Sequence, residues 1–263
     1  MIFIDYQNDE CRTEYERLIA EKEKFIYFKY LDWDSAFFGR PSFVLDMSRS
    51  NFEPSDELTK EIEKNFVGSF ITAKVDTKYD YGIVFFLQKS GFYYVDTEIV
   101  LKLGESEFVE CKNSDIRIEE MSVNIGLPYN ELGSVFKLTR FHTDINIQDG
   151  KANDLWVNYL KNYEIDSNHR MFVALSEGIP CGVVLVNSGK VKSTVFFVSV
   201  INDYRGKNIG SAMIQYVIEK LKNINIYTET QVKNILALNF YIKNGFKKIN
   251  KTIKRFVLNL WIT

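Results

Sequence analysis

A short basic loop at residues 201–211 combines the residue types that bind phosphate groups. It reads INDYRGKNIGS and follows an apolar segment, VFFVSV, that ends at Val200. Glycines let a backbone turn tightly and point its N–H groups inward, and a helix start adds partial positive charge. Arg205 and Lys207 add two full positive charges. The pattern is typical of a pyrophosphate cradle, although a glycine-containing loop with two solvated basic residues would have the same composition.

Two common nucleotide-binding motifs are absent from the sequence. A P-loop requires G-x-x-x-x-G-K-[ST], and a dinucleotide-binding fold requires G-x-G-x-x-G. Neither pattern occurs in the chain. Phosphate binding through the loop at 201–211 would therefore belong to another fold.

A second stretch, residues 234–246, places a hydroxyl in a short helix. It reads NILALNFYIKNGF, with Asn234 as a candidate N-cap, Gly245 as a candidate C-terminal glycine and Tyr241 between them. A related stretch, FLQKSGF at 86–92, matches FYIKNGF at 240–246 at an offset of 154 positions, but has Leu87 where the later copy has Tyr241. The chain thus keeps the hydroxyl in only one copy.

The elements around these stretches predict an α/β (α+β) architecture with a mixed sheet. Residues 169–186 indicate two strands joined by a turn at Glu177 and Gly178, and residues 192–200 a third antiparallel neighbour. A helix from residue 208, a strand at 224–230, a helix at 234–244 and a strand to Trp261 follow. The first of these helices has an apolar face made of Ile209, Met213, Ile214, Val217, Ile218 and Leu221.

The offset of 154 also relates longer segments of the chain. The first half ends with a helix at 55–66, a strand at 69–75, a helix at 81–90 and a strand at 93–103, in the same order as the second half. Asp80 matches Asn234. The counterpart of the basic loop is NFEPSD at 51–56, which has no glycine and contains Glu53 and Asp56. Because two carboxylates would repel a pyrophosphate, the first half is predicted to be a degenerate copy, although two short helix–strand units could also match by chance.

Together these motifs resemble the two cofactor signatures of the GCN5-related N-acetyltransferases (GNAT). Val200 with Arg205–Gly210 resembles V…[QR]-x-x-G-x-[GA], and Asn234, Ala237, Phe240, Tyr241, Gly245 and Phe246 resemble the later signature. The resemblance covers about residues 115–263 and implies a GNAT fold, with a mixed central sheet flanked by helices. One departure is Asn208, which stands at the first glycine of the family pattern. Asparagine is among the few residues that tolerate left-handed backbone angles, so the loop is expected to keep its shape.

The resemblance implies acetyl-CoA as cofactor and direct attack of an amine on the thioester. The residues implied in cofactor binding are Val198, Val200, Arg205, Gly206, Lys207, Asn208, Ile209, Gly210, Ser211 and Asn234. Tyr241 is the implied acid. A phenol has a pKa of ~10 and a free thiol a pKa of ~8.5, so the phenol is still protonated at neutral pH and can give its proton to the departing sulfur. In the alternative interpretation Tyr241 is an ordinary helix residue and Asn234 only a cap.

Two shorter motifs resemble the dTDP-fucosamine acetyltransferase branch of this superfamily. They are LDWDSAFFGR at 31–40 and LTRFHTDINI at 138–147, which implies a nucleotide-linked amino sugar as substrate and Phe141 and His142 as substrate-side residues. His142 could act as base, although such a histidine more often packs or binds a polar group. The aromatic residues of 31–40 could equally be core residues. Another small amine, an aminoglycoside, a protein N-terminus or a lysine stays open as acceptor, as does a non-catalytic acyl-CoA-binding protein.

Composition sets the remaining expectations. The 263 residues are 46% hydrophobic and 26% charged, with a net charge of −2, so nucleic acid is a poor candidate partner. The three cysteines, Cys11, Cys111 and Cys181, have neither disulfide nor metal spacing, and no run approaches the ~18–20 apolar residues of a membrane span. We expect a cytoplasmic protein with no metal, compatible with a homodimer. The polar stretch near 104–115 predicts a boundary between a smaller module, 1–112, and a catalytic module, 113–263.

Overall fold

The computed structural model describes residues 1–5, 10–78, 81–104, 115–124, 126–221 and 225–259. The strands are β1 (Ile2–Asp5), β2 (Phe25–Tyr30), β3 (Ser42–Asp46), β4 (Phe70–Asp76), β5 (Tyr93–Leu103), β6 (Ile116–Met121), β7 (His169–Ser176), β8 (Ile179–Ser188), β9 (Lys192–Val200), β10 (Asn225–Gln231) and β11 (Phe246–Asn259). The helices are α1 (Glu10–Ala20), α2 (Asp32–Phe38), α3 (Asp56–Asn65), α4 (Tyr81–Lys89), α5 (Tyr129–Gly133), α6 (Arg140–Thr143), α7 (Asp149–Lys161), α8 (Ile209–Lys220) and α9 (Ile235–Lys243), with a short 3-10 helix at Asn202–Tyr204.

The chain forms two compact units. Unit 1 comprises residues 1–97 and 252–263, and unit 2 comprises residues 98–251. The chain therefore passes from one unit to the other within β5 and again within β11. These units follow packing and differ from the modules expected from sequence, 1–112 and 113–263. That division stays a prediction, because its boundary lies in 105–114, outside the described residues.

Unit 2 contains a mixed sheet in the order β5-β10-β9-β8-β7-β6. Among the described strand pairs of this unit only β9–β10 is parallel, and the predicted antiparallel neighbours β7, β8 and β9 are confirmed. Glu177 and Gly178, between β7 and β8, both have positive φ, 52° and 82°. This is the turn geometry whose twist matches an antiparallel hairpin.

Helices cover both faces of the unit 2 sheet. The predicted apolar face of α8 is buried throughout, from Ile209 to Leu221, in a cluster that also holds Val195 of β9 and Tyr241 of α9. A second cluster holds Phe197 of β9 together with Leu132 of α5 and Leu160 of α7. Val195 and Phe197 of β9 thus point to opposite layers, and the α/β fold with a mixed sheet between helices is confirmed.

Unit 1 contains a sheet in the order β1-β2-β3-β4-β11. The β1–β2 and β3–β4 pairs are parallel, whereas β2–β3 and β4–β11 are antiparallel. Leu58 and Ile62 of α3 and Phe86 and Leu87 of α4 are buried together against this sheet. Among the described residues, no helix of either unit is long and apolar enough to cross a membrane.

The internal repeat extends to backbone geometry and strand register. α4 and α9 have the same length at an offset of 154, and each precedes a glycine with positive φ, 83° at Gly91 and 92° at Gly245. The pair Tyr227–Lys102 in unit 2 corresponds, at the same offset, to the pair Ala73–Phe256 in unit 1. β11 therefore pairs with β4 in unit 1 in the register in which β5 pairs with β10 in unit 2. Asp80, the predicted match of Asn234, lies outside the described residues.

Candidate active site

The N-terminus of α8 has the geometry of an anion site. Asn208 has φ 58° and ψ 13°, the left-handed conformation that asparagine tolerates, and α8 begins at the next residue. The Asn208 side chain makes no cap hydrogen bond to the helix. The N–H groups of the first turn have no intrahelical partner, so here they are available to an external acceptor.

Two basic side chains flank this helix start. Arg205 is exposed, and its Nε donates a 3.0 Å hydrogen bond to the Val200 carbonyl, which ties the loop to the end of β9. Lys207 is also exposed, with Nζ 5.1 Å from the centroid of the Tyr204 ring. Gly206 between them has φ 77°, a conformation that a side chain would strain. Two positive charges thus lie on the solvent side of the helix N-terminus.

Close packing explains the other predicted residues of the loop. Ile209 and Ser211 are buried, so the Ile209 side chain anchors the loop in the core and leaves its backbone N–H for binding. A Cβ on Gly210 would come within 3.1 Å of Phe240 Cε2 and 3.8 Å of Val200 Cγ2. A side chain at this position would therefore require the Phe240 ring of α9 to shift away from the start of α8.

β9 and β10 separate in the middle of the unit 2 sheet. Their parallel pairing covers only Lys192–Val195 of β9, although β9 continues to Val200. At the same point the β8–β9 register shifts, because Leu185 pairs with Phe197 and Val186 with Val195, which leaves Phe196 as an extra residue. Such a bulge bends and twists a strand.

The backbone beyond the bulge therefore borders a gap in the sheet. Residues 196–200 have no β10 partner among the described strand pairs. Val198 and Val200 pack against the α8 cluster, so their side chains line the side of the gap on which α8 begins. An extended ligand could use the open N–H and C=O groups as a neighbouring strand would. The sequence-predicted residues Val198 and Val200 are thus brought to the same region as the loop at 205–211.

Tyr241 lies at this gap, beneath the protein surface. Its side chain is 5% exposed and packs against Phe240 and Phe246, with ring centroids 5.3 and 5.7 Å away. Burial raises the pKa of the Tyr241 phenol, and a hydrogen bond with the Thr228 side chain opposes that shift only in part. Thr228 Oγ1 in turn donates a 2.9 Å hydrogen bond to the Val195 carbonyl. Tyr241 is therefore a protonated hydroxyl at neutral pH, connected through Thr228 to the last paired residue of β9.

Asn234 caps α9, as its position in the sequence predicts. Its Oδ1 accepts a 3.2 Å hydrogen bond from the Ala237 backbone N–H. The cap fixes the start of the helix that carries Tyr241. A contact of Asn234 with a cofactor stays a prediction.

Phe141 and His142, the residues expected on the substrate side, lie in α6. Phe141 is buried beneath the Arg140 guanidinium, 4.5 Å from its ring centroid. His142 contacts Thr139 Oγ1 through Nδ1 at 2.8 Å and Asn153 Oδ1 through Nε2 at 3.3 Å. Because both ring nitrogens are engaged, the geometry favours the packing interpretation of His142 over a base. A substrate role for Phe141 and His142 stays a prediction.

The motif at 31–40 forms α2 in unit 1. Trp33 and Phe37 stack with ring centroids 5.3 Å apart, and Phe38 packs on Phe70 at 5.5 Å. Trp33, Phe37 and Phe38 are thus half-buried and form aromatic contacts within unit 1, and a substrate role for this motif stays a prediction. Cys181 of β8 is fully buried, and its thiol contacts the Ala174 carbonyl at 3.4 Å, as expected for a small apolar residue.

The helix in unit 1 that corresponds to α8 lacks the anion site. Ser55 caps α3 by accepting a 3.1 Å hydrogen bond from the Leu58 backbone N–H. Glu53 pairs with Lys24 at 2.7 Å, and Asp56 pairs with Lys89 at 3.0 Å. A capped helix start with two carboxylates beside it would not hold a pyrophosphate.

One feature of unit 2 was missed in the sequence. A cavity of about 580 Å³ is lined by Asn187, Gly189, Lys190, Val191, Lys192, Thr194, Phe196 and Glu229. Exposed Glu229 lies between buried Thr228 and Thr230, an alternation visible in the segment IYTET. That alternation could have indicated a carboxylate on the opposite face of β10 from Tyr241.

Comparisons with known proteins relate part of this chain to acetyltransferases. Residues 138–246 match the model of the acetyltransferase (GNAT) family. An N-alpha-acetyltransferase of Sulfurisphaera tokodaii is 30% identical over 114 residues, which are 36% of this chain and 64% of that protein's length.

Two solved structures share the fold at low sequence identity. A GCN5-related N-acetyltransferase from Sphaerobacter thermophilus has a TM-score of 0.60 at 10% identity, over 89% of this chain and 76% of that one. A tandem GNAT protein from the clavulanic acid biosynthesis pathway has a TM-score of 0.53 at 11% identity, over 84% and 76% of the two chains. At such identities the likeness shows a common fold.

Proposed function

We propose, from a family-model match and a fold that support membership of the GNAT superfamily, that this chain transfers an acetyl group from acetyl-CoA to a primary amine. The observation that carries the proposal is the gap between β9 and β10 beyond Val195. The uncapped start of α8 and the protonated Tyr241 both lie on one side of that gap.

The chain offers three kinds of group to the cofactor. The backbone N–H groups at the start of α8, with Arg205 and Lys207, would bind the pyrophosphate. The open edge of β9 at 197–200 would hydrogen-bond the pantetheine arm, and one of its N–H groups would polarise the thioester carbonyl. Bound acetyl-CoA supplies the activated acetyl group. Gly210 keeps the Phe240 ring close without obstructing the helix start.

Tyr241 acts as the acid in this proposal. The Tyr241 hydroxyl would give its proton to the sulfur that leaves when the amine nitrogen takes over the acetyl group. The raised pKa keeps that proton on Tyr241 until the thiolate forms. The excess proton of the amine leaves to solvent, and Tyr241 is reprotonated from there.

Two acceptor classes follow from different observations. The motifs at 31–40 and 138–147 favour a nucleotide-linked amino sugar. The similarity of 114 residues to an N-alpha-acetyltransferase favours the α-amine of a polypeptide.

Thiol release from acetyl-CoA tests the proposal. The full chain should release free CoA when given an amine panel that includes nucleotide-linked amino sugars and short peptides with free N-termini. Acetylated product should appear in equal amount. CoA binding without thiol release on any amine would instead identify a non-catalytic acyl-CoA-binding protein.

A further inference from the structure

The cavity that contains Glu229 lies on the face of the unit 2 sheet that α7 covers. Phe196 is part of its wall, and the Phe196 ring lies 6.0 Å from the rings of both Tyr159 and Tyr163. Phe196 is also the extra residue of the β9 bulge. The cavity therefore adjoins the gap from the side opposite to α8.

Glu229 and Tyr241 approach the gap from opposite faces. Thr228 hydrogen-bonds Tyr241, and successive residues of a strand point to opposite faces, so the Glu229 carboxylate projects away from Tyr241. Thr228 pairs with Val195, the last β9 residue before the gap. An amine held by Glu229 would thus lie beside the gap, across from the proton donor.

The cavity carries positive charge at its other end. Lys192 lies level with Asn225, four residues before Glu229 along β10, which corresponds to roughly 13 Å at ~3.3 Å per residue. Lys190 belongs to the β8–β9 turn at the same end. Thr194 lies between the two ends, level with Tyr227, and Phe196 follows at the end nearest Glu229. The cavity therefore presents a carboxylate and an aromatic ring near the gap and two ammonium groups at its outer end.

β5 adds further charged groups near Glu229. In the antiparallel β5–β10 pair Lys102 lies opposite Tyr227 and Glu98 opposite Gln231, so both occupy diagonal positions on the face of Glu229. These two charges oppose each other in sign. Glu229 and the two lysines are the charged side chains of the cavity wall itself.

We infer that this cavity is the acceptor site and that the acceptor carries an anionic group as well as its amine. Glu229 binds the ammonium group, and Lys190 and Lys192 bind a phosphate or carboxylate on the far side of an apolar or sugar-like body that packs on Phe196. The identification of the amine as the reacting group rests on the proposed acetyl transfer. The charge pattern itself is a property of the cavity and can be tested without catalysis.

Binding of small charged probes to the full chain tests the inference. Glucosamine 6-phosphate carries both charges, glucosamine only the amine and glucose 6-phosphate only the phosphate. Their affinities would be measured by calorimetry, with and without CoA, for wild type, Glu229→Gln and the double variant K190Q/K192Q. Glu119→Gln on β6 and Lys161→Gln at the end of α7 are matched controls. Two peptide probes, Ala-Gly-Gly and its C-terminal amide, are measured in the same way. They show whether the anionic group that the lysines bind is a carboxylate or a phosphate.

Glu229→Gln should weaken amine-bearing probes by about tenfold or more and leave glucose 6-phosphate unchanged, because it removes one charge-assisted hydrogen bond. K190Q/K192Q should weaken both phosphates and leave glucosamine unchanged. Discrimination of Ala-Gly-Gly from its amide, without binding of the phosphates, would assign the anion to a carboxylate. The inference is overturned if no probe with two charges binds at millimolar concentration, or if the variants and controls behave alike. Failure of thiol release with this binding pattern intact would contradict only the proposed transfer.

Discussion

Thr228 Oγ1 donates a 2.9 Å hydrogen bond to the Val195 carbonyl, and these two residues form the last described pair between β10 and β9. On one side of this pair the Thr228 side chain contacts Tyr241. On the other side lies Glu229, the next residue along β10. The pair thus marks the point at which a ligand could pass from one face of the sheet to the other.

Replacing Tyr241 with phenylalanine should lower turnover by roughly 10²–10⁴-fold and leave acetyl-CoA affinity nearly unchanged, because only the proton donor is lost. Steady-state kinetics and calorimetry would measure the two effects. Tyr216→Phe, a change in a partly buried tyrosine of α8, is the matched control and should keep full activity. Near-normal turnover of the Tyr241 variant would remove it from the acid role.

The pH profile of wild-type turnover should show no basic limb from Tyr241 below about pH 10, the ordinary pKa of a tyrosine. Tyr241 must be protonated to act, and burial raises its pKa, so the active form persists as pH rises. Turnover measured over a pH series checks this. The value of kcat at saturating substrate is used, so that ionisation of the free amine substrate does not enter the profile. A loss of activity near pH 8 that disappears in the Tyr241→Phe variant would contradict it.

The combined change Arg205→Ala and Gly210→Asp should abolish measurable CoA binding. It removes one positive charge, introduces a carboxylate at the helix start and places a Cβ within 3.1 Å of Phe240. Lys220→Ala, at the other end of α8, is the control and should bind CoA as wild type does. Unchanged affinity in the double variant would exclude the loop as the pyrophosphate site.

The left-handed backbone conformation at Asn208 can be tested without changing the charge of the loop. Asn208→Val should lower the free energy of unfolding by about 1–2 kcal/mol, because a β-branched residue resists the left-handed conformation. Asn208→Gly should fold and bind CoA at least as well as wild type. Urea denaturation and calorimetry would measure both variants, and equal behaviour of the two would mean that Asn208 is not held at positive φ.

The regular elements that build the site could be predicted from local patterns. The strands at 93–103 and 192–200 have the bounds expected from sequence, and the apolar face of α8 is buried as its period of 3.6 residues requires. Local signals also placed the start of α9 at Asn234, because a cap depends on neighbouring residues alone.

Long-range features of the site could not be predicted in this way. The bulge at Phe196 depends on how β8 and β9 align, and the pairing of β5 with β10 joins residues far apart in sequence. Glu229 could not be recognised as part of a binding cavity from sequence, because Phe196 and Lys192, which line the same cavity, belong to another strand. The choice between packing and a base for His142 depends on its two partners, Thr139 and Asn153, which the sequence alone does not identify.

The pairing of β10 with β5 predicts that residues 113–263 do not form a stable protein by themselves. This fragment lacks residues 98–102, which pair with β10, and would expose that strand as an edge. The fragment should show little cooperative unfolding by circular dichroism and should not bind CoA. A folded fragment with the CoA affinity of the full chain would contradict the importance of β5.

Acetyl-CoA is expected at a single site, at the start of α8 and along the open edge of β9. A crystal structure of the full chain with acetyl-CoA tests it most directly. We expect one cofactor per chain, with its pyrophosphate at the backbone N–H groups of residues 206–211 and its pantetheine arm beside residues 197–200. The thioester should then lie within reach of the Tyr241 hydroxyl. Cofactor at the Ser55-capped start of α3, or a pantetheine arm that avoids the gap between β9 and β10, would contradict it.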